Sequence, residues 1–163
     1  MHKCLRIAFL LYFTTHIPIT LCIDLQALLG HLYPAILRSL YDWYVDTFND
    51  WLFARPPYWY NSFIISELCL QLPFFFFACY GLYYKKNWLR IPSIVYGSHV
   101  ATTVWAIGAE ILCSDVNTVN EKLWLTLFYT PYFACPLMLT LYMSVNEIPF
   151  GLESIENKNS KSN

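Results

Sequence analysis

Four runs of about twenty apolar residues constrain this chain more than any other feature. A helix needs about 20 mostly apolar residues to cross a bilayer. The windows 5–23, 61–84, 92–113 and 123–145 each meet that requirement. Aromatic residues gather near their ends, among them Tyr58, Trp59, Tyr60, Tyr83, Tyr84, Trp88 and Trp124, as amphipathic rings do at membrane–water interfaces. Composition agrees: the 163 residues are 57% hydrophobic and only 13% charged, against about 25% charged in average chains. The expected fold class is an all-α membrane protein, a four-transmembrane-helix bundle. Residues 1–152 make one membrane domain, and 153–163 form a polar, disordered cytosolic tail.

A net charge of −1 offers no clustered basic face for nucleic acid. The six cysteines, Cys4, Cys22, Cys69, Cys79, Cys113 and Cys135, fall mostly inside apolar runs, without a Cys-x-x-Cys pair. A disulfide framework or a zinc site would place them differently. They read as small hydrophobes in helix interiors.

Orientation follows from the cations. Lys3, Arg6, Lys85, Lys86, Arg90, Lys158 and Lys161 fall on one side of such a bundle, and Arg38, Arg55 and Lys122 on the other. The positive-inside rule then puts both termini in the cytosol. A rival reading treats the N-terminus, with its basic start and the T-L-C sequence at 20–22, as a cleavable signal peptide. The apolar stretch runs on through His16 and Pro18, longer than such segments usually are.

The 24–60 connection is rich in aromatics and lacks Gly/Ser runs. From Pro34 to Asp50 it reads as a helix, with Ile36, Leu37, Leu40, Tyr44 and Phe48 at helical spacing. Pro56 and Pro57 stop it. Such a segment lies on the membrane surface or caps a pocket. Asp42, Asp46 and Asp50 recur every four residues, the mark of a solvated face, with Asp50 an exception where the chain turns.

Within the spans, polar residues recur at helical spacing. His16, Thr20 and Asp24 are each four apart, as are Glu67 and Gln71. Span three carries His99, Thr102, Thr103 and Glu110, and span four Tyr129 and Tyr132. Hydrocarbon cannot satisfy these groups, so the faces are expected to meet one another or a ligand. Pro18, Pro73, Pro131 and Pro136 kink helices and open space between them, although membrane helices also carry proline without consequence. Each histidine is expected to be a structural hydrogen-bonder rather than a catalyst or metal ligand, and Glu110 to reach water. A carboxylate inside a membrane costs roughly 2.5–3.5 kcal/mol or more and marks a functional site. Two carboxylates close together in low dielectric do not both ionise readily. One keeps its proton, and the other suits an apolar cation such as a protonated lipophilic amine, with aromatic faces adding cation–π attraction. The surrounding apolar pocket suits a sterol entering from the bilayer.

The stretches HIPITLCIDLQALL and LYP, then WYVDTFND, SELCLQLPFFFFACYGLYY, PSIVYGSHVATT and FYTPYFACPLML, in that order, resemble the sigma-2 receptor (transmembrane protein 97) family of EXPERA-domain proteins. The resemblance implies a four-helix bundle in the endoplasmic reticulum membrane with both termini cytosolic, and extends to lysosomal, nuclear or plasma membranes. It implies a pocket for sterols and amines, a homodimer, a role in cholesterol homeostasis and association with the Niemann–Pick type C transporter. It also implies that span one is retained. Carried over by motif, Asp24 is the ligand-binding acid and Glu67 the acid supporting it. Gln71 matches the glutamine of the same motif and Asp50 the aspartate closing WYVDTFND. Thr103, Tyr132 and His16 complete the ligand-binding set.

The wider family includes emopamil-binding protein, a sterol isomerase that uses a His and two Glu. There a His and a Glu lie four apart on the first helix; here Thr20 stands four beyond His16, and the acid follows a turn later. That departure shifts the expectation from catalysis toward binding, with no enzyme activity and no cofactor or metal. Sterol isomerisation is the alternative. The tail also lacks the dense lysine cluster of some relatives. Four spans without an internal repeat argue against a proton-linked carrier.

Overall fold

A computed structural model describes residues 1–151. The tail expected over 153–163 lies outside the described residues. Among those described, every regular element is helical. Helix α1 (Lys3–Ile19) runs into a π-helical turn (Thr20–Asp24), the short α2 (Gln26–Leu29) and a 3-10 turn (Gly30–Leu32). The connection forms α3 (Ala35–Phe48) and α4 (Trp51–Ala54). Then come α5 (Tyr58–Ser66), a second π-helical turn (Glu67–Gln71), α6 (Leu72–Tyr83), α7 (Arg90–Cys113) and α8 (Val119–Val145).

Three helical stretches are long and apolar enough to cross a membrane: Lys3–Leu32, Tyr58–Tyr83 and Val119–Val145. The outer surface is accordingly greasy, with Leu70, Phe77, Leu127 and Leu141 all more than half exposed, a pattern that would aggregate in water. The remaining window, 92–113, forms α7, long enough to span, but Ser93, Ser98, His99, Thr102, Thr103 and Glu110 dilute its apolar character. It is not among the three.

Both π turns sit beside a proline. Pro18 lies two residues before the first and Pro73 two residues after the second. A proline has no N–H to donate and its ring presses on the carbonyl four residues back, breaking the regular ladder. The ladder slips by one position: Leu25 N donates to Thr20 O at 3.2 Å, and Leu72 N to Glu67 O. These wide turns carry the two intramembrane acids. Asp24 ends the first and Glu67 begins the second.

Helices α7 and α8 form the most extensive pair, with α1 against α6 next. A Cβ added to Gly97 would collide with Thr140 Oγ1 and the Pro136 carbonyl oxygen of α8. The α7–α8 approach therefore requires glycine there. Gly97→Ala is expected to destabilise the protein by about 1–3 kcal/mol through overpacking, read as a lower midpoint of detergent-solubilised thermal unfolding. An unchanged midpoint would mean that the helices separate freely.

Cations close the helix ends. Arg6 Nη1 donates to the Leu82 and Tyr83 carbonyls at 3.0 and 3.3 Å, at the end of α6. Arg90 Nε donates to Met143 O and Asn146 O at 2.9 and 3.1 Å, at the end of α8. At the opposite end of the bundle Lys122 Nζ reaches Leu112 O at 2.9 Å, near the end of α7. Each satisfies orphan carbonyls and complements the helix dipole.

Two clusters form the core. One joins Phe9 and Phe13 of α1 to Phe74 and Phe75 of α6 and Tyr96 of α7; Phe74 and Tyr96 stack at 4.4 Å, an arrangement that contributes about 0.5–1.5 kcal/mol beyond burial. The other joins Tyr44, Leu52 and Phe53 of the connection to Tyr60, Ile64, Ile107 and Leu125. Leu68 packs against both. All six cysteines are free.

The connection folds as the cap that its sequence allowed. Of the apolar residues at helical spacing, Ile36 and Leu40 are exposed, and Tyr41 turns inward beside Leu37, Tyr44 and Phe48. Positions 37, 41, 44 and 48 form a narrower stripe than the run of apolar residues implied. Asn49 ends α3 in the left-handed region (φ 50°). Its carbonyl accepts from Asn117 Nδ2 at 2.9 Å, and its side chain donates to Glu121 at 3.1 Å. Glu121 also closes the capping box with Thr118 that starts α8.

Candidate functional site

A cavity of about 350 Å³ lies between the helices, within the range of small-molecule sites. It draws its walls from both core clusters, with Val100 from one and Tyr44, Phe53, Tyr60, Ile64 and Ile107 from the other. Most of the wall is apolar or aromatic, including Phe63, Phe128, Tyr129 and Tyr132. The polar residues that reach it come chiefly from the two π turns and α7.

His16, Asp24, Glu67, Gln71, Thr103 and Tyr132 all line this cavity. Six of the seven residues expected at the site are thus brought together. One donor atom from each of His16, Asp24 and Glu67 lies within 4.8 Å of the others. Thr20 is fully buried and donates its hydroxyl to Glu67 Oε1 at 2.6 Å. It thereby ties the first π turn to the second. Thr103 is buried too, and its hydroxyl returns to its own helix, donating to Val100 O at 3.0 Å. Its hydroxyl proton is therefore not available to a ligand.

His16 is packed by three rings: Phe75 at 4.7 Å, Tyr132 at 4.9 Å and Tyr12 at 5.1 Å. The expectation of a structural hydrogen-bonder does not hold for it. Its Nε2 is 3.8 Å from Glu67 Oε1, beyond hydrogen-bonding reach, and its Nδ1 is buried with no partner. Nε2 of His99 is likewise buried without one. Thr102, also expected on the polar face of the third window, is exposed on the outside of α7, and Glu110, expected to reach water, is exposed too.

Asp50 is the seventh expected residue, and the structure places it behind the cavity wall rather than in it. It is 1% exposed. Oδ2 accepts from the Tyr44 and Tyr129 hydroxyls, each at 2.9 Å, and Oδ1 accepts from Phe53 N at 3.1 Å, capping α4. Tyr129 also meets the Tyr60 hydroxyl at 3.2 Å. Three tyrosines lining the cavity thus hang on or near one buried carboxylate. Burial raises the pKa of Asp50, and the hydrogen bonds from Tyr129, Tyr44 and Phe53 only partly offset this. Asp42 and Asp46 are exposed, as expected of a solvated face.

The sequence reading missed Tyr44, Tyr60 and Phe128 as cavity walls. Tyr44 carried a usable signal, since it sat on the apolar stripe of a segment suited to capping a pocket. Tyr60 reads as an interfacial aromatic, because a tyrosine at a span end looks the same whether it faces headgroups or a cavity.

The family model for EXPERA (EXPanded EBP superfamily) matches residues 36–143. The chain is 48% identical over 145 residues to Sigma intracellular receptor 2 of Xenopus tropicalis, covering 83% of this chain and 85% of that one. It is 40% identical over 154 residues to the protein of the same name from Homo sapiens, with 86% and 88% covered. It is also 32% identical over 140 residues to Efficient mitochondria targeting-associated protein 19 of Schizosaccharomyces pombe, with 81% and 70% covered. The chain belongs to the EXPERA family, within its sigma intracellular receptor 2 branch.

Proposed function

We propose that this protein is an intramembrane receptor that binds sterols and lipophilic amines and contributes to cholesterol homeostasis. The observation that carries this reading is the pair of carboxylates, Asp24 and Glu67, side by side in an otherwise apolar, aromatic-lined cavity between membrane-crossing helices. In this reading α7 is the fourth span of the bundle, packed along α8 by way of Gly97. The protein resides in the endoplasmic reticulum membrane with both termini in the cytosol, where Arg6 and Arg90 lie. Homodimerisation and association with the Niemann–Pick type C transporter belong to the same proposal and come from the family resemblance.

Within the site, Thr20 donates to one oxygen of Glu67, leaving the other to carry the proton shared by the acid pair. Asp24 then supplies the anion that meets an ammonium group. The rings of Tyr132, Phe128 and Tyr60 surround the cation's apolar body, each face adding about 0.5–2 kcal/mol where it meets the charge. Catalysis is not part of the proposal. His16 and two acids do converge, but Thr20 occupies the position of the isomerase's glutamate and its hydroxyl is engaged with Glu67. The relatives, moreover, carry the name of a receptor.

Competition tests the function. A sterol bearing a photoreactive group, incorporated with the purified protein into nanodiscs, is expected to label cavity residues on α7 and α8. An excess of a lipophilic N-alkylpiperidine is expected to suppress that labelling at least tenfold. Labelling confined to the outer surface, or indifferent to the amine, would separate the two ligands and defeat the single-pocket reading.

A further inference from the structure

We propose that Arg6 and Lys85 form a headgroup site for an anionic membrane lipid that carries a phosphomonoester, at the end of the bundle away from the α3–α4 cap. The site goes beyond the ligand pocket and uses none of its residues. Arg6, on the first turn of α1, donates through Nη1 alone, to the Leu82 and Tyr83 carbonyls. Its Nε and Nη2 have no hydrogen-bond partner among the described residues, and neither is sealed in the interior. Together they form the guanidinium edge that grips two phosphate oxygens side by side. Arg90, at the same end, has that edge occupied: Nε donates to the Met143 and Asn146 carbonyls and Nη2 to the Ser144 carbonyl. Arg6 is thus tethered by one nitrogen and open at the edge that recognises an anion.

A second observation lies at Lys85. It follows α6 in the turn to α7, in the left-handed region (φ 53°). Lys86 N donates to Gly81 O at 2.8 Å and closes the Schellman motif that ends α6, so Lys85 holds the position that glycine fits best. A lysine kept in that conformation points to function rather than folding. It is exposed, and among the described residues no lysine or arginine pairs with an acid. The two cations share one place. The carbonyls that hold Arg6 belong to the last residues of α6, just before Lys85. Burial lowers the pKa of the Met1 amine, and the charges of Arg6 and Lys85 lower it further, so both face the same point. Tyr83, Tyr84 and Trp88 are exposed around this turn, as aromatics are at a membrane–water interface, which sets the cations at headgroup depth. A phosphomonoester carries a charge of about −1.5 to −2 and three terminal oxygens. Two oxygens meet the Arg6 edge and the third meets the Lys85 ammonium. A phosphodiester headgroup fills the Arg6 edge and leaves Lys85 without an oxygen.

The full-length protein, purified in detergent and stripped of lipid, is titrated at neutral pH with short-chain phosphatidic acid and short-chain phosphatidylserine, and bound lipid is counted by native mass spectrometry. Phosphatidic acid is expected to bind about tenfold more tightly than phosphatidylserine. Arg6→Lys keeps the charge and loses the fork, and Lys85→Gly loses the charge and relieves the backbone. Each is expected to reduce the preference to about twofold or less. Lys85→Gly is also expected to melt no lower than the wild type, which separates lost binding from lost folding. Equal binding of the two lipids to the wild type overturns the proposal, and so does a preference that survives in Lys85→Gly. Inorganic phosphate is expected to leave the lipid bound. Displacement by inorganic phosphate at the lipid's own concentration would assign the two cations to a free anion and overturn the lipid site. If Arg6→Lys fails to fold, Lys85→Gly decides alone.

Discussion

Asp24→Asn is expected to weaken the binding of a lipophilic amine by about 2–5 kcal/mol, roughly 30-fold or more, because it removes one partner of a desolvated charge pair. The substitution keeps size and shape, so the cavity survives while its anion disappears. Asp24 sits at the end of a π turn, where the widened backbone turns its carboxylate toward Glu67 and His16. Glu67→Gln is expected to cost less, since Thr20 can still donate to the amide oxygen that replaces Oε1. Saturation binding of a radiolabelled amine to the three proteins in detergent measures the order. Equal affinity of the wild type and Asp24→Asn would show that the ammonium group lies elsewhere.

The second large effect falls on stability. Asp50→Ala is expected to destabilise the protein by about 3–5 kcal/mol. Each hydrogen bond to a charged acceptor contributes about 1.5–3 kcal/mol, and the loss of the α4 cap costs about 1 kcal/mol more. The Tyr44 and Tyr129 hydroxyls and Phe53 N would all lose their acceptor. The cap over the cavity would loosen with them, so amine binding should fall as well. Asp50→Asn should be milder, because its amide oxygen can still receive the two tyrosines, while its NH2 then faces Phe53 N and only the cap is lost. The pH dependence separates the two acceptors. Burial raises the Asp50 pKa above its usual value, so the folded state favours the protonated form. The stability this contributes is full in acid, below the usual carboxylate pKa, and is lost as pH rises through the raised one. Wild-type stability relative to Asp50→Asn should therefore improve on acidification through that window. Thermal unfolding of both proteins across mildly acidic to neutral pH reads this; a constant difference would mean that Asp50 does not titrate there.

Much of this arrangement was legible beforehand, for physical reasons that differ by element. The helices at 61–84 and 123–145 announced themselves because hydrocarbon demands long apolar runs, and both are found at nearly those bounds. The helical spacing of His16, Thr20 and Asp24 and of Glu67 and Gln71 placed polar faces that do converge. What spacing did not reveal was the π winding that aims the acids. It depends on Pro18 and Pro73 displacing a ladder, and a proline in a membrane helix has several possible outcomes. Asp50 illustrates the opposite limit. It stood out as a break in the acidic stripe, but only three-dimensional packing shows that its partners are Tyr44 and Tyr129. Nothing local distinguishes an acid that touches ligand from one that holds the wall. On α3 the spacing marks a helix without marking its inner face, and Ile36 and Leu40 are exposed because apolar residues near a membrane surface need not face protein.

The claim that Asp24 and Glu67 form an anionic site within an apolar pocket is tested most directly by changing the ligand's charge rather than the protein. Binding of an N-alkylpiperidine and of its cyclohexane isostere, with carbon in place of nitrogen, is measured on the wild type and on Asp24→Asn. The expected result is a preference of the wild type for the amine of about 2 kcal/mol or more, collapsing in Asp24→Asn to near zero. An isostere that binds the wild type as tightly as the amine, or a preference that survives in Asp24→Asn, would contradict it.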